Sequence, residues 1–304
     1  MTMTRREFLT VLAVSILSTG CGRDLKDQKI GLALGGGGAR GLAHIPMLEV
    51  FDELGIRPHR IAGCSIGAVM GCLYASGLSG MQIRQEVKRL SVSKDEDWLD
   101  TLFNEDIFSW FDFVEPSMGK GGLIESGTLM QYLLDLINVT DFSQLEIPLT
   151  VVATDFWSRE QVVFESGELA PAIRASIAVP GLFAPVEYQG KVLVDGGLVN
   201  PVPYDLLFDD CDVVVAIDVL GERTPDTDNG PAYFETIFNT FQIMQAAVMQ
   251  EKMRNRPPDI YIKPDIQDVR VLEFYKADEI YRQSRSGRDR LQNEIRKYRA
   301  ERAR

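Results

Sequence analysis

Two apolar runs that each stop at a cluster of glycines constrain this chain more than any other feature. Lys29-Ile-Gly-Leu-Ala-Leu34 leads into Gly35 to Gly38, and Arg60-Ile-Ala-Gly63 leads into Gly63-Cys64-Ser65-Ile66-Gly67. A short unbroken apolar run is the pattern of a strand buried on both faces. A helical pattern follows each one. Leu42, Ile45, Leu48, Phe51 and Leu54 recur at three-residue spacing before Gly55, and Ala68 to Ser76 is stopped by Gly77; a glycine just past the last apolar residue is a common helix end. Strand, helix, strand, helix at this spacing predicts parallel strands joined by right-handed crossovers, an α/β fold. Further strand-like runs cover 149–153, 161–164, 191–194 and 212–219, and helical patterns cover 235–254 and 272–299. Between 95 and 125 the pattern breaks into an aromatic cluster, Trp98, Phe103, Phe108, Trp110, Phe111 and Phe113. This segment reads either as a cap over a site or as peripheral core.

With 304 residues, 45% of them apolar, and no long linker, one large domain over 22–304 fits better than two small ones. The net charge of -12 argues against nucleic acid as a partner and against adsorption to anionic lipid by charge alone. Cys21, Cys64, Cys72 and Cys211 form no C-x-x-C pair, and His44 and His59 stand apart, so neither a disulfide framework nor metal-ligand spacing is present and no cofactor is called for. Oligomeric state has no signature in the sequence.

The first 21 residues read as an address. Arg5 and Arg6, then Phe8 and Leu9, then an apolar run too short to span a bilayer, match a signal peptide of twin-arginine type. Gly20-Cys21 resembles a bacterial lipoprotein cleavage site, which would make Cys21 the lipidated first residue of an exported, membrane-anchored protein of the cell envelope. Ordinary cleavage and an uncleaved anchor remain the other two readings.

Gly63 to Gly67 is a G-x-S-x-G pattern set between an expected strand and an expected helix. That sharp turn presents a serine hydroxyl at a helix N-terminus, where the helix dipole favours a developing negative charge. By itself the pentapeptide also fits a plain turn. A histidine triad of the α/β-hydrolase order is excluded, since His44 and His59 both precede Ser65. The best remaining base is Asp195, at the end of an apolar run and before Gly196-Gly197; a partly buried carboxylate gains basicity. An Asp-Gly hairpin turn is the competing explanation. The run Gly35 to Gly38, followed by Ala39-Arg40-Gly41, can aim several bare amides at one point, as an oxyanion hole requires. It also contains G-x-G-x-x-G, but the acid that a dinucleotide site needs at the end of the second strand is replaced by Gly63-Cys64-Ser65.

Taken in order, Gly36-Gly37-Gly38-Ala39-Arg40-Gly41, Gly63 to Gly67 and Asp195-Gly196-Gly197 resemble the three motifs of the patatin-like phospholipase family. The likeness extends to Gly41-Leu-Ala-His-Ile45, Ala172 to Gly181 and Val199-Asn-Pro-Val-Pro203, and spans roughly residues 29–285. It implies a three-layer α/β/α sandwich around a mainly parallel central sheet, with a catalytic dyad of Ser65 and Asp195. It implies also an oxyanion hole from Gly36, Gly37 and Gly38 with Arg40 supporting the loop, and hydrolysis of lipid acyl esters without metal or cofactor. A lipid-binding or scaffolding protein on the same fold is the alternative.

Overall fold

The protein is described here by a computed structural model over residues 28–92, 127–222 and 233–302. The leader with Cys21 and the aromatic cluster expected over 95–125 lie outside the described residues. Eight strands form one sheet: β1 (Ile30–Leu34), β2 (Arg60–Cys64), β3 (Leu149–Asp155), β4 (Gln161–Phe164), β5 (Val186–Tyr188), β6 (Lys191–Asp195), β7 (Val213–Ile217) and β8 (Ile260–Ile262). Hydrogen-bonded neighbours run β5-β6-β3-β2-β1-β7-β8, and β4 is also paired to β3. The pairs β2–β3, β1–β2, β1–β7 and β7–β8 are parallel, whereas β4, β6 and β5 join antiparallel. The helices are α1 (His44–Glu53), α2 (Ile66–Ala75), α3 (Gly80–Val92), α4 (Gly127–Ile137), α5 (Leu169–Ser176), α6 (Tyr233–Asn255), α7 (Ala277–Gln283) and α8 (Arg285–Arg302). None of the described helices is long and apolar enough to cross a membrane.

Alternation along the buried strands separates two outer layers. Ile30, Leu32 and Leu34 of β1 join Ile61, Val151, Val215 and Ile217 in the larger core, under α1, α2, α5, α7 and α8. The intervening residues Ala33, Ala62, Val214 and Ala216 face the other way, against Val202, Tyr204, Leu207 and Met249. Because three of those four sheet residues are alanines, the segment around 200–207 and the end of α6 settle close to the sheet. The result is the α/β/α sandwich, with one thick layer and one thin one.

The third strand positions the site. Val152 pairs both Cys64 and Val163, and Ala153 pairs both Val162 and Asp195. A strand has two edges, so β4 holds one and β2 and β6 share the other. β2 arrives parallel and β6 antiparallel, and their last residues sit side by side.

The helix expected over 272–299 is broken. A 3-10 turn at Phe274–Lys276 precedes α7, and α7 and α8 are separated at Ser284. The Ser284 hydroxyl, fully buried, donates to the Ile280 carbonyl at 2.6 Å, and such back-bonding bends helices.

Candidate active site

Ser65 stands between β2 and α2 with φ 53° and ψ -127°, a backbone conformation that is costly for a residue with a Cβ. The surroundings hold it there. Its amide donates to Ser176 Oγ at 2.9 Å, and that hydroxyl donates on to the Val152 carbonyl at 2.7 Å. The turn also needs Gly67, since a Cβ at this position would lie 2.1 Å from the Leu34 carbonyl oxygen. The amides of Ile66 and Gly67 open α2 without an acceptor among the described residues, so the positive end of the helix lies beside the hydroxyl.

Asp195 is buried at the end of β6. One oxygen, Oδ1, accepts from the Gly197 amide at 2.7 Å. The other, Oδ2, is buried and makes no hydrogen bond of normal length; the Ser65 hydroxyl is near enough to favour the ionised form without closing a bond of that length. Burial outweighs the stabilising effects of Ser65 and the Gly197 amide, and the carboxyl is pushed up to about 6. The arrangement is a hydroxyl with an under-satisfied, basic carboxylate oxygen beside it. Cys64 is held as the neutral thiol, because burial and the neighbouring Asp195 both push its pKa up.

The glycine loop closes the third side. Gly35 and Gly36 donate their amides to the Ile217 and Pro201 carbonyls at 3.0 Å each, and Ala39 donates to the Val271 carbonyl at 2.8 Å. Gly36 is thereby committed to the loop's own structure. The amides of Gly37 and Gly38 have no acceptor among the described residues. A Cβ at Gly36 would come within 3.3 Å of Ser65 Cβ, which is how closely the loop lies against the serine. Arg40 is 2% exposed, and its Nε donates to the Gly37 carbonyl at 3.2 Å. With the Gln242 carboxamide oxygen turned toward it, the guanidinium also donates to Gln242, Nη1 at 3.0 Å. His44, fully buried, donates from Nε2 to the Gly35 carbonyl at 2.8 Å. Burial lowers its pKa to about 4, so the ring is neutral and acts as a loop support.

Two cavities meet at Ser65. The larger is a cleft of about 1010 Å³, part of it continuous with solvent, walled by apolar side chains such as Leu42, Val69, Leu73, Leu133, Leu182 and Phe274. The smaller, about 490 Å³, is lined by Gly37, Gly38, Arg40, Asp195, Gln242 and Gln245 among others.

The sequence did not single out Ser176, Gln242, Gln245 or Lys252 as parts of this site. Lys252 of α6 reaches the loop after Asp195: Nζ donates to the Val202 carbonyl at 2.8 Å and also to Asn200 and Asp205, over the Tyr204 ring at 4.5 Å. The neighbouring Pro201 carbonyl is the acceptor of the Gly36 amide. A lysine in a polar stretch of a surface helix carries no spacing that would reveal this.

A sequence model of the family described as "Patatin-like phospholipase" matches residues 32–208. An uncharacterised NTE family protein of Mycobacterium tuberculosis is 34% identical over 211 residues, 69% of this chain and 54% of its own length. Lysophospholipase NTE1 of Saccharomyces cerevisiae is 30% identical over 290 residues, 85% of this chain and 16% of its own. This chain thus spans about half the length of the mycobacterial relative and a small part of the yeast one. Among solved structures, VipD from Legionella pneumophila aligns over 88% of this chain and 67% of that chain, at 15% identity and a TM-score of 0.48. Human GIVD cytosolic phospholipase A2 aligns over 90% and 59%, at 12% identity and a TM-score of 0.45.

Proposed function

The chain belongs to the patatin-like phospholipase family, and from that membership we propose that it is a serine acyl-hydrolase of phospholipids, lysophospholipids or related lipid esters. The observation that carries the reading is the place of Ser65 at the junction of an almost wholly apolar cleft and a smaller cavity of mixed lining, where Arg40, Asp195, Gln242 and Gln245 stand among apolar side chains. A lipid ester has that division built in, an acyl chain on one side of the carbonyl and a polar alcohol on the other.

Ser65 Oγ attacks the ester carbonyl while Asp195 Oδ2 takes the hydroxyl proton. The carbonyl oxygen, now carrying negative charge, is met by the amides of Gly37 and Gly38, and each such donor contributes about 3 kcal/mol to the transition state. Asp195 hands its proton to the departing alcohol; water then gives a proton to the same carboxylate and attacks the acyl-serine, and Asp195 returns that proton to Ser65 Oγ as the fatty acid is released. Arg40, held under the loop, and neutral His44 keep the donors aimed.

A fluorophosphonate probe tests this directly. It should label the parent chain at Ser65, with labelling lost in Ser65→Ala and strongly slowed in Asp195→Asn. Labelling that persists in Ser65→Ala would transfer the role to another nucleophile.

The same reading places the protein at the cell envelope, on the support of Arg5-Arg6 and Gly20-Cys21. Membrane-bound protein in cells should shift to the soluble fraction in Cys21→Ser; unchanged partition would remove the lipid anchor.

A further inference from the structure

We propose that the turn between β3 and β4, carrying Phe156 and Trp157, is the element by which this protein touches a zwitterionic phospholipid surface; the inference rests on the lipid-ester reading above. These two adjacent aromatics are 48% and 75% exposed, Trp157 the most exposed of the large apolar side chains described. Leaving them in water is unfavourable, and a tryptophan has the amphipathic ring that settles at the boundary between hydrocarbon and headgroups.

The turn presents them rigidly. Asp155 Oδ1 accepts from the amides of Trp157 and Ser158 at 3.1 and 3.4 Å, and the Asp155 carbonyl accepts from the Arg159 amide at 2.8 Å. The Phe156 amide donates to the Val192 carbonyl of the neighbouring strand at 2.8 Å. The two rings stack edge to face with centroids 4.9 Å apart. The backbone of the turn is therefore already ordered before contact.

Its direction is set by the sheet. β2 and β3 are parallel with Cys64 level with Val152, so both strands point toward the end of the sheet where Ser65 lies. β3 continues to Asp155, and at about 3.3 Å per residue the turn stands on the order of 10 Å beyond the level of Ser65. Contact through this tip brings the catalytic end of the sheet to the lipid.

Charge selects the kind of surface. Asp155 and Glu160 are balanced by Arg159 and Lys191, and Lys191 Nζ lies 3.7 Å from Asp155 Oδ2. The turn with Lys191 thus carries no net charge, with Glu187 on the adjoining strand β5, in a chain of net charge -12. A neutral apolar tip suits phosphatidylcholine, whereas an anionic surface repels the rest of the molecule.

The test uses the full chain with Trp98→Phe and Trp110→Phe, which leaves Trp157 as the sole tryptophan of three. With phosphatidylcholine vesicles its emission should shift to the blue and be quenched when the acyl chains are brominated. In a chain carrying Cys21→Ser, so that no lipid anchor contributes, Phe156→Ser/Trp157→Ser should lower the vesicle-bound fraction about 10-fold at limiting lipid. It should slow hydrolysis of vesicle phospholipid to match, while turnover of a soluble short-chain ester stays the same. Chain that sediments with vesicles while Trp157 stays unquenched would overturn the proposal, as would unchanged sedimentation of the double variant. A blue shift without lipid that grows with protein concentration would assign the tip to a second copy instead. Should the single-tryptophan chain misfold, sedimentation of the double variant decides alone. Quenching of Trp157 in a chain that turns over no ester would refute the hydrolase reading and leave the docking surface standing.

Discussion

Cys64 and Asp195 end two strands that converge on one edge of β3, Cys64 opposite Val152 and Asp195 opposite Ala153. The residue after Cys64 is Ser65, so the nearness of hydroxyl and carboxylate is fixed by backbone pairing and not by long flexible side chains. Sheet register of this kind is held by every hydrogen bond along the strands.

On the proposed mechanism Asp195 is ionised when it accepts the Ser65 proton, so its pKa of about 6 would set the acid limb of activity. kcat/KM for a soluble ester should fall about tenfold per pH unit below that value. A limb near pH 4 would mean that the carboxylate is better solvated than its burial suggests.

The same shift has a stability side. A folded pKa raised above the usual 3.8 means that Asp195 favours the fold when protonated. That contribution is complete below about pH 4 and is lost as pH rises through 6, at a cost approaching ~3 kcal/mol. Asp195→Asn should therefore melt at a higher temperature than the parent at pH 8 while losing turnover. Equal melting at pH 8 would show that no strain is stored in this carboxylate.

His44 gives the opposite dependence. Its pKa is lowered to about 4, so stability from the neutral ring is full above the unfolded value of about 6.5 and is lost as pH falls toward 4, by about 3 kcal/mol. In urea titrations from pH 7 to pH 4, His44→Leu should flatten this part of the curve, with a loss already present at neutral pH from the missing bond to Gly35.

Lys252→Met removes a cation that is 16% exposed at its side chain and leaves Asn200 and the Val202 carbonyl short of a donor. A loss of about 1–3 kcal/mol is expected. Because the adjacent Pro201 carbonyl holds the Gly36 amide, kcat should drop while KM changes little, and Lys252→Arg should recover part of it. A purely structural role would lower the melting temperature with kcat intact.

The parts of the site legible in the sequence are those whose chemistry is local. Gly67 is dictated by close approach of the Leu34 backbone, and the apolar runs before Ser65 and Asp195 mark strand ends, so the motifs announce themselves. α6 contributes Gln242, Gln245 and Lys252 through a tertiary contact that no nearby residue implies. Ser176 is hidden for the same reason, being a helix residue whose partner, Ser65, lies 111 positions away. At the fold level, β5 and β8 are only three residues long, too short for alternation to show. The break at Ser284 leaves no mark in the pattern, since the helical periodicity continues on either side.

On the proposed chemistry, the meeting of two unlike cavities at one serine gives the reaction separate doors. The freed alcohol departs through the chamber lined by Arg40 and Gln242, while the acyl group stays tethered in the greasy cleft behind. The vacated chamber then admits whichever small hydroxyl compound arrives first, so water competes there with glycerol or methanol, and the ratio of fatty acid to new ester records that contest.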